Sequence, residues 1–261
     1  MNEMKLSLHG KYAWVGGASR GIGRAIAQQL AQQGATLILV ARNQNALQQL
    51  IEKLPGEGHR AICVDYLDRA TLVQKAEAII TTHPIHVVIN NTGGPAAGNL
   101  FGASFDDLQR AFQLHVGAYQ SLLQVFLSGM QAAGYGRIIN IISTSVKQPI
   151  PGLGVSNTIR GAVANWAKTL ARELAPMGVT VNNILPGKTE TERLREIIEH
   201  QAKVIGGTPE QVAETLRQQI PLGRFADPTE VAAAAGFLAS PAASFITGIN
   251  LPVDGGEIKS L

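Results

Sequence analysis

Short runs of apolar residues alternate with longer segments of helical periodicity along almost the whole chain. The runs are continuously apolar rather than alternating with polar residues, which is typical of parallel strands covered by helices on both faces. The pattern predicts seven strands, at 12–15, 36–40, 61–64, 87–90, 137–142, 180–184 and 249–253.

The segments between these runs predict helices. Ile22, Ala25, Ile26 and Leu30 form the apolar stripe of the first helix, which Gly34 closes. Strand–helix alternation predicts an α/β fold, a Rossmann-type doubly wound parallel sheet that binds ligands at the carboxyl ends of its strands. The further predicted helices are 45–54, 68–81, 105–130, 156–175 and 228–239.

One segment, 188–222, interrupts this alternation. It is charged, helical in pattern and contains Gly206-Gly207, which together predict a mobile lid over the ligand-binding edge. No linker or shift in composition divides the chain. We therefore expect residues 1–261 to form a single domain.

Composition narrows the classes of partner. Hydrophobic residues make up 45% of the 261 residues, enough for a substantial core, whereas charged residues make up 16%, below the roughly 25% of an average soluble domain. The shortfall predicts that further copies of the chain cover part of the surface, as in a homodimer or homotetramer. The net charge of +3 is dispersed along the chain, with no run of basic residues of the kind that binds a nucleic-acid phosphate backbone. We therefore expect a small-molecule substrate and no nucleic acid partner.

Three local features of the sequence bear on the cellular compartment in which the protein works. The single cysteine, Cys63, excludes an intrachain disulfide, and its apolar neighbours predict an inert core thiol. The N-terminal sequence lacks the apolar stretch of a signal peptide. The charge-free segment 231–251 is long enough to cross a membrane, but Ser240-Pro241 and Thr247-Gly248 interrupt it. A buried helix followed by a buried strand is the preferred interpretation, and a cytoplasmic protein without membrane association is expected.

A glycine-rich turn, "GGASRGIG", joins the first predicted strand to the first helix. Glycine lets such a turn be tight and lets a pyrophosphate approach bare backbone, while the helix that follows supplies free N–H groups and the positive end of its dipole. The strand before and the helix after favour a dinucleotide site over an ordinary tight turn. The predicted contacts are Gly17, Ser19, Arg20, Gly21, Ile22 and Gly23.

Two arginines near this turn indicate which dinucleotide binds. The second strand ends in Ala41-Arg42, where an acidic residue would bind the adenosine ribose and reject a 2′-phosphate. Arg20 is a second cation within reach of the same phosphate. NADP (NADPH) is therefore predicted, with NAD less favoured, unless both arginines are simply solvated. Asp65, after the third strand, either contacts the adenine or caps the next helix.

At this point the chain resembles the short-chain dehydrogenase/reductase family over nearly its whole length. The matching motifs, in order, are "GGASRGIG", "NNTGG" at 90–94, "INIIST" at 139–144, "LPGKTETERL" at 185–194 and "ITGINLPVDGG" at 246–256. The resemblance implies that Asn91 and Gly93 line the cofactor site, with Asn91 beside the adenosine ribose. It also implies that Pro186, Gly187 and Thr191 hold the nicotinamide end, that 254–256 lies near a subunit contact, and that a tetramer is the commonest assembly.

The resemblance also exposes a departure at the catalytic positions. Ser143 matches the family's serine, and Ser156 lies thirteen residues later (156 − 143), where the family has tyrosine. Arg160 replaces the lysine of the Tyr-x-x-x-Lys pair, and His115 aligns with the asparagine. A serine hydroxyl is far less acidic than a phenol, and arginine keeps its charge, so it can stabilise an oxyanion but cannot relay a proton. The expected catalytic set is Ser143, His115, Ser156 and Arg160.

Several groups could supply the missing proton. His115 is the strongest candidate because imidazole titrates near 6.5, although a structural hydrogen bond is the alternative. Tyr119 lies four residues later on the same helical face, where core packing is the simpler role. Lys147 is a further candidate or a solvated loop residue. The histidines form no ligand-spaced cluster, so no metal is expected.

Three functions fit these residues. The first is an NADP-dependent oxidoreductase that acts on a carbonyl or hydroxyl compound, for which a 3-oxoacyl-like keto compound is a guess by family analogy. The second is a dinucleotide-binding sensor or partner subunit without redox turnover. The third is a non-redox reaction, such as an isomerisation, on the same scaffold.

Overall fold

Seven parallel strands form a single sheet, which confirms the predicted fold class. The structure is a computed structural model that describes residues 5–260. Each apolar run of the sequence falls on a strand, because helices cover both faces of the sheet. The strands are Tyr12–Gly16 (β1), Thr36–Ala41 (β2), Arg60–Cys63 (β3), Ile85–Asn90 (β4), Gly136–Ile141 (β5), Val179–Pro186 (β6) and Asn250–Val253 (β7).

The order of the strands places the ligand-binding crevice. The sheet runs β3-β2-β1-β4-β5-β6-β7, so the chain proceeds outward from β1 in one direction and then returns to its other side at β4. Loops that leave β1 and β4 diverge to opposite faces at this reversal. The crevice between them, at the carboxyl ends of the strands, is where a doubly wound sheet binds its ligand.

Nine α-helices connect and cover the strands in the described part of the chain. Most begin within one or two residues of their predicted positions, because capping residues mark their starts. The helices are Gly21–Gln32 (α1), Gln44–Ile51 (α2), Arg69–Ile80 (α3), Phe105–Phe112 (α4), Ala118–Ala132 (α5), Gly154–Leu174 (α6), Glu192–Ile205 (α7), Pro209–Gln218 (α8) and Pro228–Ala239 (α9).

Two hydrophobic cores lie on the two faces of the sheet. On one face, α1, α2 and α9 bury residues such as Ile26 and Leu47 against the strands. On the other face, α3, α5 and α6 bury residues such as Leu72, Phe126 and Val163. The helices on both faces fix the strand ends, and with them the walls of the crevice.

The helix predicted over 105–130 is divided. A π-helical turn, Gln113–Gly117, separates α4 from α5 without a break in the chain direction. Such a turn adds a residue to the helical repeat, so the side chains before and after it face different directions than in a continuous α-helix. His115 lies within the π turn and is buried.

Two predictions of burial are wrong. Cys63 is exposed, because β3 is an edge strand that pairs only with β2, and its thiol donates a hydrogen bond to the Arg42 carbonyl oxygen at 3.3 Å. The final strand, predicted as buried, is also an edge strand and is partly exposed along its length. The buried helix predicted before it is confirmed as α9. Within residues 5–260, no helix is long and apolar enough to cross a membrane.

The predicted lid is helical. Helix α7 ends at Gly206, whose φ of +68° is the left-handed conformation that stops a helix. Helices α7 and α8 pack on each other through a small apolar cluster separate from the two main cores, formed by Ile198, Ala202, Val212 and Ala213. Because the two helices pack on each other, we expect them to move together. The mobility of the lid itself stays a prediction.

Candidate active site

The glycine turn between β1 and α1 is packed too closely for side chains. Gly17 has a φ of +60°, and a Cβ built on it would lie 2.6 Å from Asn91 Nδ2. A Cβ on Gly23 would lie 2.2 Å from the Gly17 carbonyl oxygen. Asn91 fixes the turn from β4 by donating a hydrogen bond to the Gly16 carbonyl oxygen at 3.1 Å. The turn therefore presents bare backbone to the crevice.

The start of α1 differs from the starts of most other helices. Its N-cap residue, Arg20, makes no side-chain capping bond, and the first turn contains no acidic residue. By contrast, Asn43, Asp68 and Asp227 cap α2, α3 and α9 with side-chain oxygens. Free N–H groups at the positive end of a helix dipole attract an anion. The structure thus fits the pyrophosphate of a dinucleotide at this position.

A cleft of about 1070 Å³ opens in front of this turn. It extends from the ends of β2 and β3 past the loop after β4 to α4 and the start of α6. Seven of the predicted cofactor contacts line it: Gly17, Ser19, Arg20, Arg42, Asp65, Asn91 and Gly93.

Both arginines at this end of the cleft have acidic neighbours. Arg42 is largely exposed, with Nη1 3.7 Å from Asp65 Oδ2. Arg20 Nη1 lies 2.9 Å from Glu192 Oε2 at the start of α7. Asp65 does not cap α3, whose N-cap is Asp68; the Asp65 Oδ1 accepts a hydrogen bond from the Leu67 N–H. Of the two roles considered for Asp65, the capping role is therefore wrong.

The other predicted cofactor contacts lie outside the lining of the cleft. Gly21 and Gly23 are at the base of the turn, and Ile22 packs toward the core. Thr191 caps α7, and its Cγ2 would be 3.2 Å from a Cβ on Gly21. Pro186 ends β6, and Gly187 lies against Asp254, where a Cβ would come within 2.7 Å of the aspartate Cα. Thr191 thus joins the glycine turn, whereas 186–187 joins the tail that follows β7.

The two predicted catalytic serines are on different elements. Ser143 follows β5 and its Oγ accepts a hydrogen bond from the Ser145 N–H at 3.1 Å. Ser156 is on the first turn of α6, half-buried, and its side chain has no hydrogen-bond partner within residues 5–260. Among residues 5–260, no hydrogen bond joins either serine side chain to an imidazole or a carboxylate. An ordinary hydroxyl in such a place donates and accepts hydrogen bonds but does not become an anion.

A group of four polar side chains, which we call the Thr92 cluster, lies at the cleft wall, with one member lining the cleft and three buried behind it: Thr92, His115, Tyr119 and Arg160. Thr92 Oγ1 is 2.8 Å from His115 Nδ1 and 3.2 Å from the Tyr119 hydroxyl. Arg160 is close enough to Tyr119 for its charge to act on the phenol, and it donates from Nη1 to the Ile141 carbonyl oxygen at 3.1 Å. The cluster therefore joins the loop after β4, the π turn, α5 and α6.

Burial determines the protonation of this cluster. His115 is fully buried, and burial, followed by the positive charge of Arg160, holds its pKa well below the usual 6.5. His115 is therefore neutral near pH 7. Its Nε2 and the Arg160 Nε are buried without a hydrogen-bond partner among the described residues. Unpaired buried polar atoms are costly, and a cluster that holds two of them is a candidate functional site.

Only part of this arrangement could be predicted from the sequence. Thr92 and Glu192 were missed, although both are within motifs already singled out at 90–94 and 185–194. Tyr119 was assigned to core packing because helical spacing shows which face a residue is on, not what its hydroxyl meets. In the described range, no group of three or more histidine, cysteine or acidic side chains is arranged to hold a metal.

Comparison with known proteins agrees with this architecture. A family model described as enoyl-(acyl carrier protein) reductase matches residues 17–257. The chain is 32% identical over 256 residues to the NADPH-dependent reductase BacG of Bacillus subtilis, covering 95% of this chain and 98% of that protein. It is 34% identical to the 3-oxoacyl-[acyl-carrier-protein] reductase FabG of Vibrio harveyi, covering 96% and 98%.

A solved structure gives the same result in three dimensions. The L-sorbose reductase of Gluconobacter frateurii, complexed with NADPH and L-sorbose, superposes with a TM-score of 0.93 at 31% identity, covering 99% of this chain and 100% of that one. The similarity covers nearly the whole chain, including the glycine turn, the strands of the sheet and the helices around the cleft. The chain therefore belongs to the short-chain dehydrogenase/reductase family.

Proposed function

We propose that this protein is an NADPH-dependent oxidoreductase that reduces a keto compound to an alcohol. The observation that carries the proposal is the uncapped start of α1 beneath a bare glycine turn, with Arg20 and Arg42 at the same end of the cleft. These groups match a pyrophosphate and a 2′-phosphate in position and charge. Of the relatives named above, one is NADPH-dependent by name and one was solved with NADPH, and both support the same cofactor.

When bound, NADPH supplies the hydride, and the chain must position the substrate and manage charge and protons. Arg160 is the proposed group for stabilising negative charge on the substrate oxygen, since its Nη2 would be 3.7 Å from a Cβ on Gly94 at the cleft wall. Ser143 and Ser156 are proposed as hydrogen-bond donors to the same oxygen. His115 completes the proposed set, and its neutral imidazole contacts the cleft through Thr92.

The lid is the proposed determinant of substrate choice. Helix α7 begins at Thr191, beside the glycine turn, and the Arg20–Glu192 ion pair joins the two. Glu192, at the start of α7, also lines the cleft. The keto compounds named for relatives, a 3-oxoacyl group and L-sorbose, differ widely in shape. We therefore propose the keto group, rather than either compound, as the shared requirement.

The test has two measurements. Titration with NADPH and NADH should show preferential binding of NADPH, and Arg42→Ala should reduce NADPH affinity about tenfold while changing NADH affinity little, because it removes a phosphate contact. Absorbance should then report NADPH oxidation with a panel of 3-oxoacyl esters and keto sugars. Equal losses for both coenzymes in Arg42→Ala would contradict the NADP assignment.

A second candidate is a dinucleotide-binding protein without turnover. It is favoured by one observation, that His115 and Arg160 are both buried and neither lines the cleft. Tight NADPH binding without oxidation by any keto compound in the panel would support this candidate and overturn the first.

A further inference from the structure

Tyr119 has contacts that core packing does not require. It is fully buried, and its ring lies 6.4 Å from the Trp166 ring and 6.0 Å from His115 between centroids. A phenylalanine would fill this space without the cost of burying a hydroxyl. The Tyr119 hydroxyl instead meets Thr92 Oγ1 at 3.2 Å and His115 Nδ1 at 3.4 Å, and the Arg160 charge lies near it.

Thr92 is the member of the cluster that reaches the cleft. It lines the cleft, whereas His115, Tyr119 and Arg160 do not. Its hydroxyl can accept a hydrogen bond from Tyr119 while it donates one. In the absence of substrate, the proposed acceptor is His115 Nδ1 at 2.8 Å, which has a free lone pair when the neutral imidazole carries its proton on Nε2. Rotation about the Cβ–Oγ1 bond would direct the same proton toward an oxygen in the cleft.

We propose that Tyr119 is the proton source for carbonyl reduction in this protein and that Thr92 is the catalytic hydroxyl that delivers the proton. The inference rests on the proposed function. Together the two residues would perform the task for which Ser156 is unsuited, with the phenol supplied by α5 rather than by α6.

The step balances as follows. The carbonyl carbon gains the hydride of NADPH, the C=O π bond becomes a lone pair on oxygen, and that oxygen takes the proton of Thr92 Oγ1. Thr92 takes the phenolic proton of Tyr119, and the resulting phenolate faces the Arg160 guanidinium. NADPH is oxidised, the carbonyl is reduced, and water entering the emptied cleft returns a proton to Tyr119 through Thr92.

Charges around Tyr119 act in opposite directions. The net effect raises the pKa of Tyr119 above its ordinary value, because burial outweighs the nearby Arg160 charge and the hydrogen bond with Thr92. The titratable groups that face it are Tyr66, His115 and Arg160. His115 holds no proton to give near pH 7, and Arg160 keeps its own. Tyr119 is thus the member of the cluster that donates a proton to Thr92 in the proposed relay, through the 3.2 Å contact between the two hydroxyls.

Four variants test the relay in the full-length protein. Tyr119→Phe and Thr92→Val should each lower kcat for keto reduction about 100-fold, the lower range for loss of a general acid, while the NADPH dissociation constant stays within about twofold. Thr92→Ser keeps the hydroxyl and should restore kcat to within about fivefold of the wild-type protein. Tyr135→Phe is the matched control, because it removes a phenol that donates to the Ala239 carbonyl oxygen far from the cleft. A Tyr119→Phe protein with wild-type kcat, or a Thr92→Ser protein as slow as Thr92→Val, would overturn the relay.

A spectroscopic titration tests the same pair without turnover. The ultraviolet difference between the wild-type protein and Tyr119→Phe reports ionisation of Tyr119 as pH rises. Arg160→Met should move this ionisation upward by about one pH unit or more, because it removes a positive charge in contact with the phenol, whereas Arg160→Lys should keep most of the effect. If Arg160→Met does not fold, the pH at which Tyr119 ionises is compared between Arg160→Lys and Thr92→Val, and that comparison tests the pairing instead. An ionisation unchanged in every folded variant would overturn the pairing.

The two proposals fail differently. A wild-type protein that oxidises no NADPH with any keto compound contradicts the proposed function, and the titration then decides alone whether Tyr119 and Arg160 are coupled. A wild-type protein that turns over normally, with Tyr119→Phe equally active, contradicts only the relay.

Discussion

The glycine turn and the Thr92 cluster both border the cleft, but they are built in opposite ways. The turn gathers backbone and cations from short, local stretches, and Arg20 and Arg42 stay largely exposed. The cluster gathers side chains from 92, 115, 119 and 160 and buries most of them. Coenzyme binding therefore depends on the close approach of backbone to a ligand. The proposed proton transfer depends instead on hydrogen bonds that are shielded from water. In such surroundings each charge, and each polar atom without a hydrogen-bond partner, has a larger effect.

Gly23→Ala should have the largest effect, which falls on the glycine turn and on coenzyme binding rather than on the Thr92 cluster. The added methyl would lie 2.2 Å from the Gly17 carbonyl oxygen, so the turn must open, with a loss of about 1–3 kcal/mol in the free energy of unfolding. NADPH affinity should fall by roughly 100-fold, as measured by fluorescence titration.

Gly161→Ala in α6 is the control for that variant, because its added methyl would meet nothing within 4 Å. It should keep NADPH affinity and be slightly stabilising, since alanine is the better helix former. Normal NADPH binding by Gly23→Ala would show that the bare turn is not the pyrophosphate site.

His115→Asn should have the next largest effect, on the cluster side. The pKa of His115 is depressed by folding, so below about 6.5 the unfolded chain binds a proton that the folded chain does not, and stability is lost as pH falls. Removing the imidazole should flatten the dependence of the unfolding free energy on pH by up to about 1.4 kcal/mol per pH unit below that value.

Urea unfolding at several pH values between about 5 and 7 measures this slope. His200→Asn, an exposed histidine on α7, should leave the slope unchanged. A His115→Asn protein with the wild-type slope would mean that the imidazole is charged, or accessible to water, in the folded state.

Glu192→Gln should have the smallest effect and would sharpen the account of the binding end. Glu192 holds Arg20 in an exposed ion pair at 2.9 Å, and without it Arg20 would keep only the longer 3.9 Å contact with Glu196 and be more available to a 2′-phosphate. Because exposed pairs contribute little, NADPH affinity should rise only about two- to fivefold, with NADH affinity unchanged. Glu199→Gln, elsewhere on α7, is the control in the same titration, and an equal gain for both coenzymes would place Arg20 away from the 2′-phosphate.

The same division separates what could be predicted from what could not. The strands, the sheet and the glycine turn follow from apolar runs and glycine spacing, because those signals are local. The exposed Cys63 was mispredicted because neighbours in the sequence do not show that β3 lies at the edge of the sheet. The helix over 105–130 was predicted as continuous because nothing in its spacing marks a π turn.

A line of asparagines shows the limit most clearly. Asn90 donates to Asn140, Asn140 to Asn183 and Asn183 to Asn250, each at 2.8 Å, across four neighbouring strands. Each residue alone looks like an ordinary polar residue near a strand end. The register of the sheet aligns them, and paired amides are stable in a core where single ones are not. They fix the strands from which Asn91 and Ser143 extend.

The sequence by itself determined the parallel sheet, the bare turn before α1 and the cations at the phosphate end, because periodicity, glycine and charge act over a few residues. Only the tertiary structure brought Thr92, Tyr119 and Arg160 into contact, set the neutral state of His115 and placed Glu192 against Arg20. Those properties depend on distance and on exclusion of water, and both arise only when segments far apart in the chain pack together.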